Sequence, residues 1–171
     1  MSGNAIRLAE QDARELTSGL DREAVEQIST ELRQLLADTF ELYIKTKNFH
    51  WHLSGIHFRD YHLLLDEHAD QIFAIADDIA ERARKIGGTT IRSIGDIARS
   101  QRLKDNDQVF VAAGEMLREL REDNRNFIES LRATHAICEQ YDDVATASFI
   151  EVWIDQAERR HWFLTEVVRE V

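Results

Sequence analysis

Residues 48–81 read NFHWHLSGIHFRDYHLLLDEHADQIFAIADDIAE and set histidines and carboxylates at helical intervals. A helix turns by about 100° per residue, and we take His62 as zero. Asp66 then lies at about 40°, Asp77 at about 60° and Glu81 at about 100°. His50 lies a short distance upstream. Imidazole and carboxylate together suit iron, manganese or zinc, so this stripe predicts a metal site.

The same spacing has a simpler interpretation, because polar pairs four residues apart are common on solvated helix faces. Four aligned groups with His50 nearby favour metal ligands over that interpretation. Asp70, at about 80° on the same scale, could be an extra ligand, although we expect it either to support the ligands from behind or to lie on the surface. Asp78 points away from the stripe. We interpret the remaining histidines of the stretch as ordinary histidines: His52, His57 and His68.

The composition indicates one helical domain. The chain has 171 residues, 43% of them hydrophobic, with no proline and only seven glycines, so long helices meet no internal breaker. No apolar run approaches the ~20 residues of a membrane span, and the polar N-terminus lacks a hydrophobic signal region. The single cysteine, Cys138, fits a small buried residue in a reducing compartment. These features predict a cytoplasmic protein without membrane contact.

Four long amphipathic helices are predicted after an N-terminal arm. We assign residues 1–20 to a flexible arm and residues 21–171 to the helical domain, which starts at the N-cap Asp21. Apolar positions then recur at intervals of three and four, as in amphipathic helices. The helices are predicted at about 21–54, 58–86, 106–134 and from Asp142-Asp143 to the end. Phe110 belongs to the apolar face of the third helix, and the apolar face of the fourth includes Phe149, Val152 and Trp153.

The connection between the second and third predicted helices sets the topology. Its ~19 residues exceed the usual ~2–8 of a bundle link and, at ~3.3 Å per residue, can cross the ~42 Å length of a ~28-residue helix. Two antiparallel hairpins joined by one crossover make an all-α, ferritin-like four-helix bundle. The crossover also has helical spacing, which predicts a short extra helix with an apolar face for a partner subunit: Ile91, Ile94, Ile97 and Ala98.

One chain cannot complete the predicted metal site. His62 and Asp77 lie about 22 Å apart along a straight helix, whereas metal ligands lie only ~2.0–2.2 Å from the ion. If two copies of this helix pack antiparallel across a two-fold axis, the histidine end of one meets the Asp77 and Glu81 end of the other, which gives two equivalent sites. Glu158 and His161 match the Glu-x-x-His motif of intrachain di-iron bundles, but those sites need two copies of the motif.

These residues resemble those of the Dps family of mini-ferritins. The resemblance rests on KTKNFHW, a short glycine turn, HFRDYH and DDIAER before two glycines, and it spans the four predicted helices. The family spacing of 12, 4, 11 and 4 falls without gaps on His50, His62, Asp66, Asp77 and Glu81. It implies a hollow twelve-subunit shell whose ferroxidase sites are shared across dimer interfaces. Such shells oxidise Fe(II), preferentially with hydrogen peroxide, and store the Fe(III) mineral.

The N-terminal arm departs from the family pattern, in which lysine-rich tails often bind DNA. The arm contains no lysine, and its charged residues are Arg7, Arg14, Glu10, Asp12 and Glu15. The net charge of the chain is −11. Because neutralising phosphates supplies most non-specific affinity for nucleic acid, we expect no DNA binding.

Iron access and the site tryptophan give weaker predictions. The resemblance implies three-fold pores lined by acidic residues near the start of the last helix. Asp143 matches one such position, but the residue four later is Ala147, and Glu139 or Asp142 could supply charge instead. Trp51 matches a family tryptophan near the site, where packing and the quenching of oxidising equivalents are both open interpretations.

The first functional hypothesis is a cytoplasmic ferroxidase and iron store that protects the cell from oxidative damage, built as a homododecamer from two-fold dimers. Its ligands are the five residues matched above, and its substrates are Fe(II) and hydrogen peroxide. The alternative is a nucleoid-associated protein that compacts DNA and has a secondary iron role. A third hypothesis is a helical scaffold with a zinc or vestigial site and no turnover.

Overall fold

The computed structural model describes residues 18–169, and every regular element among them is an α-helix. The prediction of an all-α protein is therefore confirmed. The predicted arm, residues 1–20, lies almost entirely outside the described residues and stays a prediction. The helices are α1 (Arg22–His52), α2 (Phe58–Ala74), α3 (Ala76–Lys85), α4 (Ile94–Ser100), α5 (Ala113–Gln140) and α6 (Val144–Val168).

Four helical rods form the bundle: α1, α2 with α3, α5 and α6. Tyr141, just after α5, hydrogen-bonds to Glu23 at the start of α1, while Lys45 late in α1 contacts Asp123 in the middle of α5. α1 and α5 therefore run in opposite directions. Arg82, near the end of α3, contacts the start of α6, and α5 and α6 form the second hairpin. This is the predicted ferritin-like arrangement, with one crossover between two antiparallel hairpins.

The first helix begins and ends as predicted. The Asp21 carboxylate accepts a hydrogen bond from the Ala24 backbone N–H at 2.9 Å, which caps the first turn of α1. After α1, Gly55 has a φ of 125°, in the region that favours glycine, and the chain reverses there. The short link sets the last turn of α1 against the start of α2.

The second predicted helix, 58–86, is two helices rather than one. Ile75 has a ψ of −9°, and its backbone N–H bonds to the Phe73 carbonyl instead of continuing the helical ladder. The Ile79 N–H then bonds to the Ile75 carbonyl at 3.1 Å, so α3 resumes the ladder after a single residue. No proline or glycine causes this break, which is why the sequence pattern did not predict it. The core face nevertheless continues, since Ile72 and Ile79 are both fully buried.

The third predicted helix starts later than expected, at Ala113 instead of near residue 106. Asn106 donates from its side-chain amide to Glu119, and its carbonyl accepts from the Asn48 amide. These bonds hold the segment before α5 as a loop against α1 and α5. Phe110 lies in that loop with 77% of its surface exposed, so its prediction as a helical core residue is wrong.

The same helix also ends later than predicted, at Gln140 instead of near residue 134. Its apolar face continues through Cys138, which is fully buried. The chain turns only at Asp142, whose φ of 56° is left-handed. Because α5 starts later and α3 ends earlier than predicted, the crossover is longer than the predicted ~19 residues.

The predicted short helix in the crossover is confirmed as α4. Ser93 caps it by accepting a hydrogen bond from the Asp96 N–H, and the helix packs against α1. Ile94 is 81% exposed, so an apolar side chain of α4 faces away from the core, as predicted. Ile91 precedes the helix and packs against the core.

The last helix starts after Asp143, as predicted, and contributes a continuous core face that includes Trp153. Phe149 and Val152 are exposed, so their placement on the core face is wrong. Each lies one residue, or about 100°, from a buried neighbour, and therefore on a flank of that face. None of the described helices is long and apolar enough to cross a membrane.

Candidate metal centre

Two of the predicted ligands meet where α1 turns into α2. His50 lies in the last turn of α1 and His62 near the start of α2. Their rings stack with centroids 3.7 Å apart and planes inclined by 20°. Phe58 stacks on the His62 ring with centroids 5.0 Å apart. The chain reversal at Gly55 is what brings the two histidines together.

Each histidine is oriented by the backbone carbonyl of the other. His50 Nδ1 lies 2.9 Å from the carbonyl oxygen of His62, and His62 Nδ1 lies 3.1 Å from the carbonyl oxygen of His50. A carbonyl oxygen only accepts hydrogen bonds, so Nδ1 donates in both rings and carries the proton. The Nε2 atoms then keep the free lone pair that a metal ligand needs. The pair is therefore preset to bind a metal through Nε2.

Asp66 adds a carboxylate beside this pair. Its Oδ1 lies 3.7 Å from His50 Nε2 and accepts a hydrogen bond from Lys47 Nζ at 2.7 Å. That hydrogen bond lowers the pKa of the Asp66 carboxyl, with a further contribution from the Lys47 charge. The carboxylate is ionised at neutral pH, and Lys47 occupies an oxygen that a metal cation would otherwise bind.

The other two predicted ligands lie on α3, away from the histidines. Glu81 Oε2 forms an ion pair with Lys85 Nζ at 2.8 Å, and this hydrogen bond lowers the pKa of the Glu81 carboxyl. Asp77 is exposed and makes no hydrogen bond or ion pair with the other described residues. Both carboxylates are therefore accessible to a group from outside the chain.

Across residues 18–169, no three His, Cys, Asp or Glu side chains are arranged to hold a metal ion. The structure brings His50, His62 and Asp66 together and leaves Asp77 and Glu81 apart. The helical rise requires that separation. The remaining acids and histidines of the stretch lie outside this cluster. Asp70 and Asp78 are exposed, and His52 bonds to the Asn48 carbonyl. His57 lies beside Tyr61, and His68 is buried in the bundle.

Two residues of this site, Lys47 and Phe58, were missed by the sequence analysis. Lys47 precedes His50 by three positions, a spacing that places both on one face of α1. That spacing was a usable signal in the sequence. Phe58 gave no signal, because its contact with His62 depends on the local geometry at the start of α2.

The side chain of Asp143, which was predicted to line a pore, is fully engaged in contacts with its own chain. Its carboxylate caps α6 by accepting from the Thr146 N–H and hydroxyl, and it pairs with Arg82 Nη2 at 2.7 Å. The side chain is only 4% exposed, so it offers no free charge to a pore. Glu139 and Asp142 are exposed, and Ala147 is buried. Of the three acids named for the predicted pore, Glu139 and Asp142 are therefore the exposed ones.

Three further sequence interpretations concern single side chains. Glu158 pairs with Arg132 at 2.5 Å and lies on the surface, as expected for a lone Glu-x-x-His motif without a metal role. Cys138 is fully buried, and burial raises the pKa of its thiol to about 12, which agrees with a packing role. Trp51 is 61% exposed beside His50, so packing within the subunit does not account for it.

The sequence matches the ferritin-like domain family over residues 29–171. An uncharacterised low temperature-induced protein of Nostoc is 31% identical over 88% of this chain and 84% of its own length. DNA protection during starvation protein 1 of Deinococcus radiodurans is 27% identical over 87% of this chain and 72% of its own. The crystal structure of Dps from Thermosynechococcus elongatus superposes with a TM-score of 0.83 at 25% identity, covering 85% of this chain and 92% of that one. The chain belongs to the Dps family of ferritin-like proteins.

Family membership agrees with the arrangement of the helices in this Dps-family chain. Antigen TpF1 from Treponema pallidum, another solved structure, superposes with a TM-score of 0.83 at 26% identity, over 86% of this chain and 95% of its own. The ferritin-like domain match, over residues 29–171, includes all five residues of the candidate metal centre.

Proposed function

We propose that this Dps-family protein is a ferroxidase and iron-storage mini-ferritin that oxidises Fe(II) with hydrogen peroxide and stores Fe(III) in a dodecameric shell. Its sites are shared between two subunits. Each site combines His50, His62 and Asp66 of one subunit with Asp77 and Glu81 of the other. Iron is the substrate and the cargo of this reaction.

The reciprocal hydrogen bonds between the two histidines carry this proposal. Each Nδ1 donates to the backbone of the other residue, so both Nε2 lone pairs are available at one end of the bundle. A merely structural stacked pair would not need both rings held in the same tautomer. The nearby Asp66 carboxylate supplies the negative charge that favours Fe(III) once it forms.

The need for two subunits follows from the separation of the ligands along α2 and α3. About 22 Å of helix lies between His62 and Asp77. A groove beside α1 and α4 offers an apolar contact surface near this half-site. It is lined by exposed or partly exposed residues, among them Phe40, Ile44, Trp51, Phe73, Ile94 and Ile97. A second copy that buries this groove across a two-fold axis would bring the two half-sites together.

Apart from water, the proposed oxidation needs no reactant other than Fe(II) and hydrogen peroxide. Two Fe(II) ions each give one electron to one molecule of hydrogen peroxide, and the O–O bond breaks. The oxygen atoms end at the oxidation level of water, and hydrolysis of the two Fe(III) ions releases protons. Because both electrons are taken within one site, no hydroxyl radical is released. The chain's own part is to hold iron through the histidine Nε2 atoms and the carboxylates.

Anaerobic Fe(II) titration followed by addition of peroxide, monitored by absorbance, tests the function. Asp77→Asn and Glu81→Gln remove charge while keeping shape, and both should slow iron oxidation at least tenfold without dissociating the assembly. Asp78→Asn is the matched control, since Asp78 is an exposed carboxylate next to Asp77 but off the stripe. Unchanged initial rates in both site variants, or an equal loss in the control, would refute the assignment.

A further inference from the structure

A guanidinium group is buried in the middle of the bundle, and no residue of the described part of the chain serves as its counter-ion. Arg160 of α6 has no exposed surface. Its Nε donates to the Asn124 side-chain oxygen of α5 at 3.0 Å. The two terminal nitrogens, Nη1 and Nη2, are buried and have no hydrogen-bond acceptor among the described residues. Four N–H donors of a charged group are therefore left unpaired, which is rare in folded proteins.

Within residues 18–169, no carboxylate forms an ion pair or hydrogen bond with this group. Burial alone lowers the pKa of Arg160 to about 10, so the group stays protonated at neutral pH and no acidic neighbour offsets the burial. Asp123, which precedes Asn124 in the sequence, is engaged by Lys45 at 2.8 Å. The adjacent Arg159 behaves differently, because it is exposed and lies 3.6 Å from Glu67. The lack of an anionic partner therefore distinguishes Arg160 from its neighbour Arg159.

His68 of α2 lies within electrostatic range of Arg160 and is also buried. Neither of its ring nitrogens has a hydrogen-bond partner in the described part of the chain. A histidine ring carries at least one N–H, so it can donate a hydrogen bond. His68 of α2 and Arg160 of α6 therefore lie in the same interior region, and the buried donors without an acceptor there are those of Arg160.

We propose that this region binds one small monovalent anion, of the size of chloride, held by Arg160 Nη1 and Nη2 with His68 as an additional donor. A buried cation requires hydrogen-bond acceptors and also a group of opposite charge. A water molecule can accept the hydrogen bonds, but it carries no charge. Full burial of the guanidinium excludes larger ligands. The site is separate from the candidate metal centre, so it does not depend on the proposed iron chemistry.

Thermal unfolding of the full-length protein tests the proposal, with chloride replaced stepwise by gluconate at constant ionic strength. Gluconate is too large for the buried region. Above the dissociation constant of the bound chloride, the midpoint temperature of unfolding should rise by about 3 °C or more for each tenfold increase in chloride concentration. Arg160→Met should abolish this dependence, while Arg159→Met, on the exposed side of the same helix, should keep it.

Bromide provides a second readout that needs no variant. Crystals of the unmodified protein grown in bromide should give an anomalous peak between the Arg160 guanidinium and His68. If the midpoint does not change with chloride and the bromide crystals lack this peak, water fills the region and the proposal is wrong. A chloride dependence that persists in Arg160→Met would likewise refute it, because the anion would then bind elsewhere.

Discussion

At the scale of single residues, the metal half-site depends on which ring nitrogen each histidine leaves free. The backbone carbonyls at His50 and His62 each hold the Nδ1–H of the other ring. Lys47 then neutralises Asp66, so the half-site of one chain is charge-balanced before any metal binds. An incoming Fe(II) ion must displace this ammonium group from the carboxylate oxygen.

Replacing Lys47 should therefore strengthen metal binding. We expect Lys47→Met to bind Fe(II) a few-fold more tightly under anaerobic conditions, because the competing ion pair and the repulsion between like charges are both removed. The modest size follows from the partial exposure of Asp66, since exposed ion pairs contribute little. Isothermal titration calorimetry would measure the change. Lys47→Arg keeps the charge and serves as the control; equal affinities in the two variants would show that Lys47 does not compete with iron.

A second residue-scale feature is a buried carboxylate cluster between α1 and α5. Lys45 Nζ contacts Asp123 at 2.8 Å, Glu119 at 3.2 Å and Glu41 at 3.4 Å. Glu41 Oε2 is buried without a hydrogen-bond partner. Burial raises the pKa of Glu41 to about 8, although the Lys45 charge acts in the opposite direction. Glu41 is therefore mostly protonated in the folded protein at neutral pH.

This cluster predicts a pH-dependent stability. The folded state keeps a proton on Glu41 that the unfolded chain loses near the ordinary pKa of 4.5. The free energy of unfolding therefore falls as pH rises from about 4.5 to about 8. Glu41→Gln cannot titrate, so it should lose less stability than the original protein over this interval. Urea denaturation at several pH values and one protein concentration would measure the difference, with Glu26→Gln at an exposed position of α1 as the control. Parallel pH profiles for Glu41→Gln and the original protein would contradict the prediction.

At the scale of elements, α2 and α3 together carry all but one of the proposed ligands. The break at Ile75 divides them into a histidine-bearing helix and a carboxylate-bearing helix. The two still share one core face against α1. Because that face is buried, the ligand stripe on the flank is left for contact with another subunit. The length of the two helices, more than any single contact, prevents the five proposed ligands from meeting within one chain.

Mixed assemblies should therefore show complementation. A His62→Ala chain and an Asp77→Ala chain are each expected to oxidise iron poorly. In a mixed dimer, one site combines both mutations while the other is fully intact, so up to half of the normal activity should return. Co-expression with two different affinity tags would verify that the chains assemble together. If verified mixed assemblies recover no activity, the ligands come from a single chain.

At the scale of the whole molecule, charge decides which partners the protein can approach. The chain contains 32 acidic and 21 basic residues, a net charge of −11 with neutral histidines. A shell of twelve such chains, as proposed, would repeat this charge over a closed surface. Such a field attracts Fe(II) and repels polyanions.

We therefore expect no stable complex with plasmid DNA at ~0.15 M salt, where the Debye length is ~8 Å. The arm offers only Arg7 and Arg14 to phosphates, and nearby acidic residues offset them. A gel-shift assay in the presence of a chelator would measure binding without bridging by divalent cations. A retarded band that persists with chelator and weakens when residues 1–20 are deleted would support the nucleoid-associated alternative.

The sequence by itself determined the features that depend on near neighbours along the chain. Asp21 and Asp143 mark helix starts through local hydrogen bonds, and the spacing of His62, Asp66, Asp77 and Glu81 follows from the helical repeat alone. The need for two subunits also follows from that repeat. Helix ends were less predictable: the break at Ile75 and the late start of α5 arise from backbone geometry and from contacts with other helices, which local propensity does not encode.

Only the tertiary structure decided the protonation and charge state of the interior groups. The tautomers of His50 and His62 depend on carbonyls twelve residues away, and the unpaired charge of Arg160 depends on its full burial in the bundle. The free energy of such groups is set by solvent exclusion and by partners distant in sequence. A helical repeat specifies the side of a helix on which a residue lies, but it does not specify what the rest of the chain brings against that side.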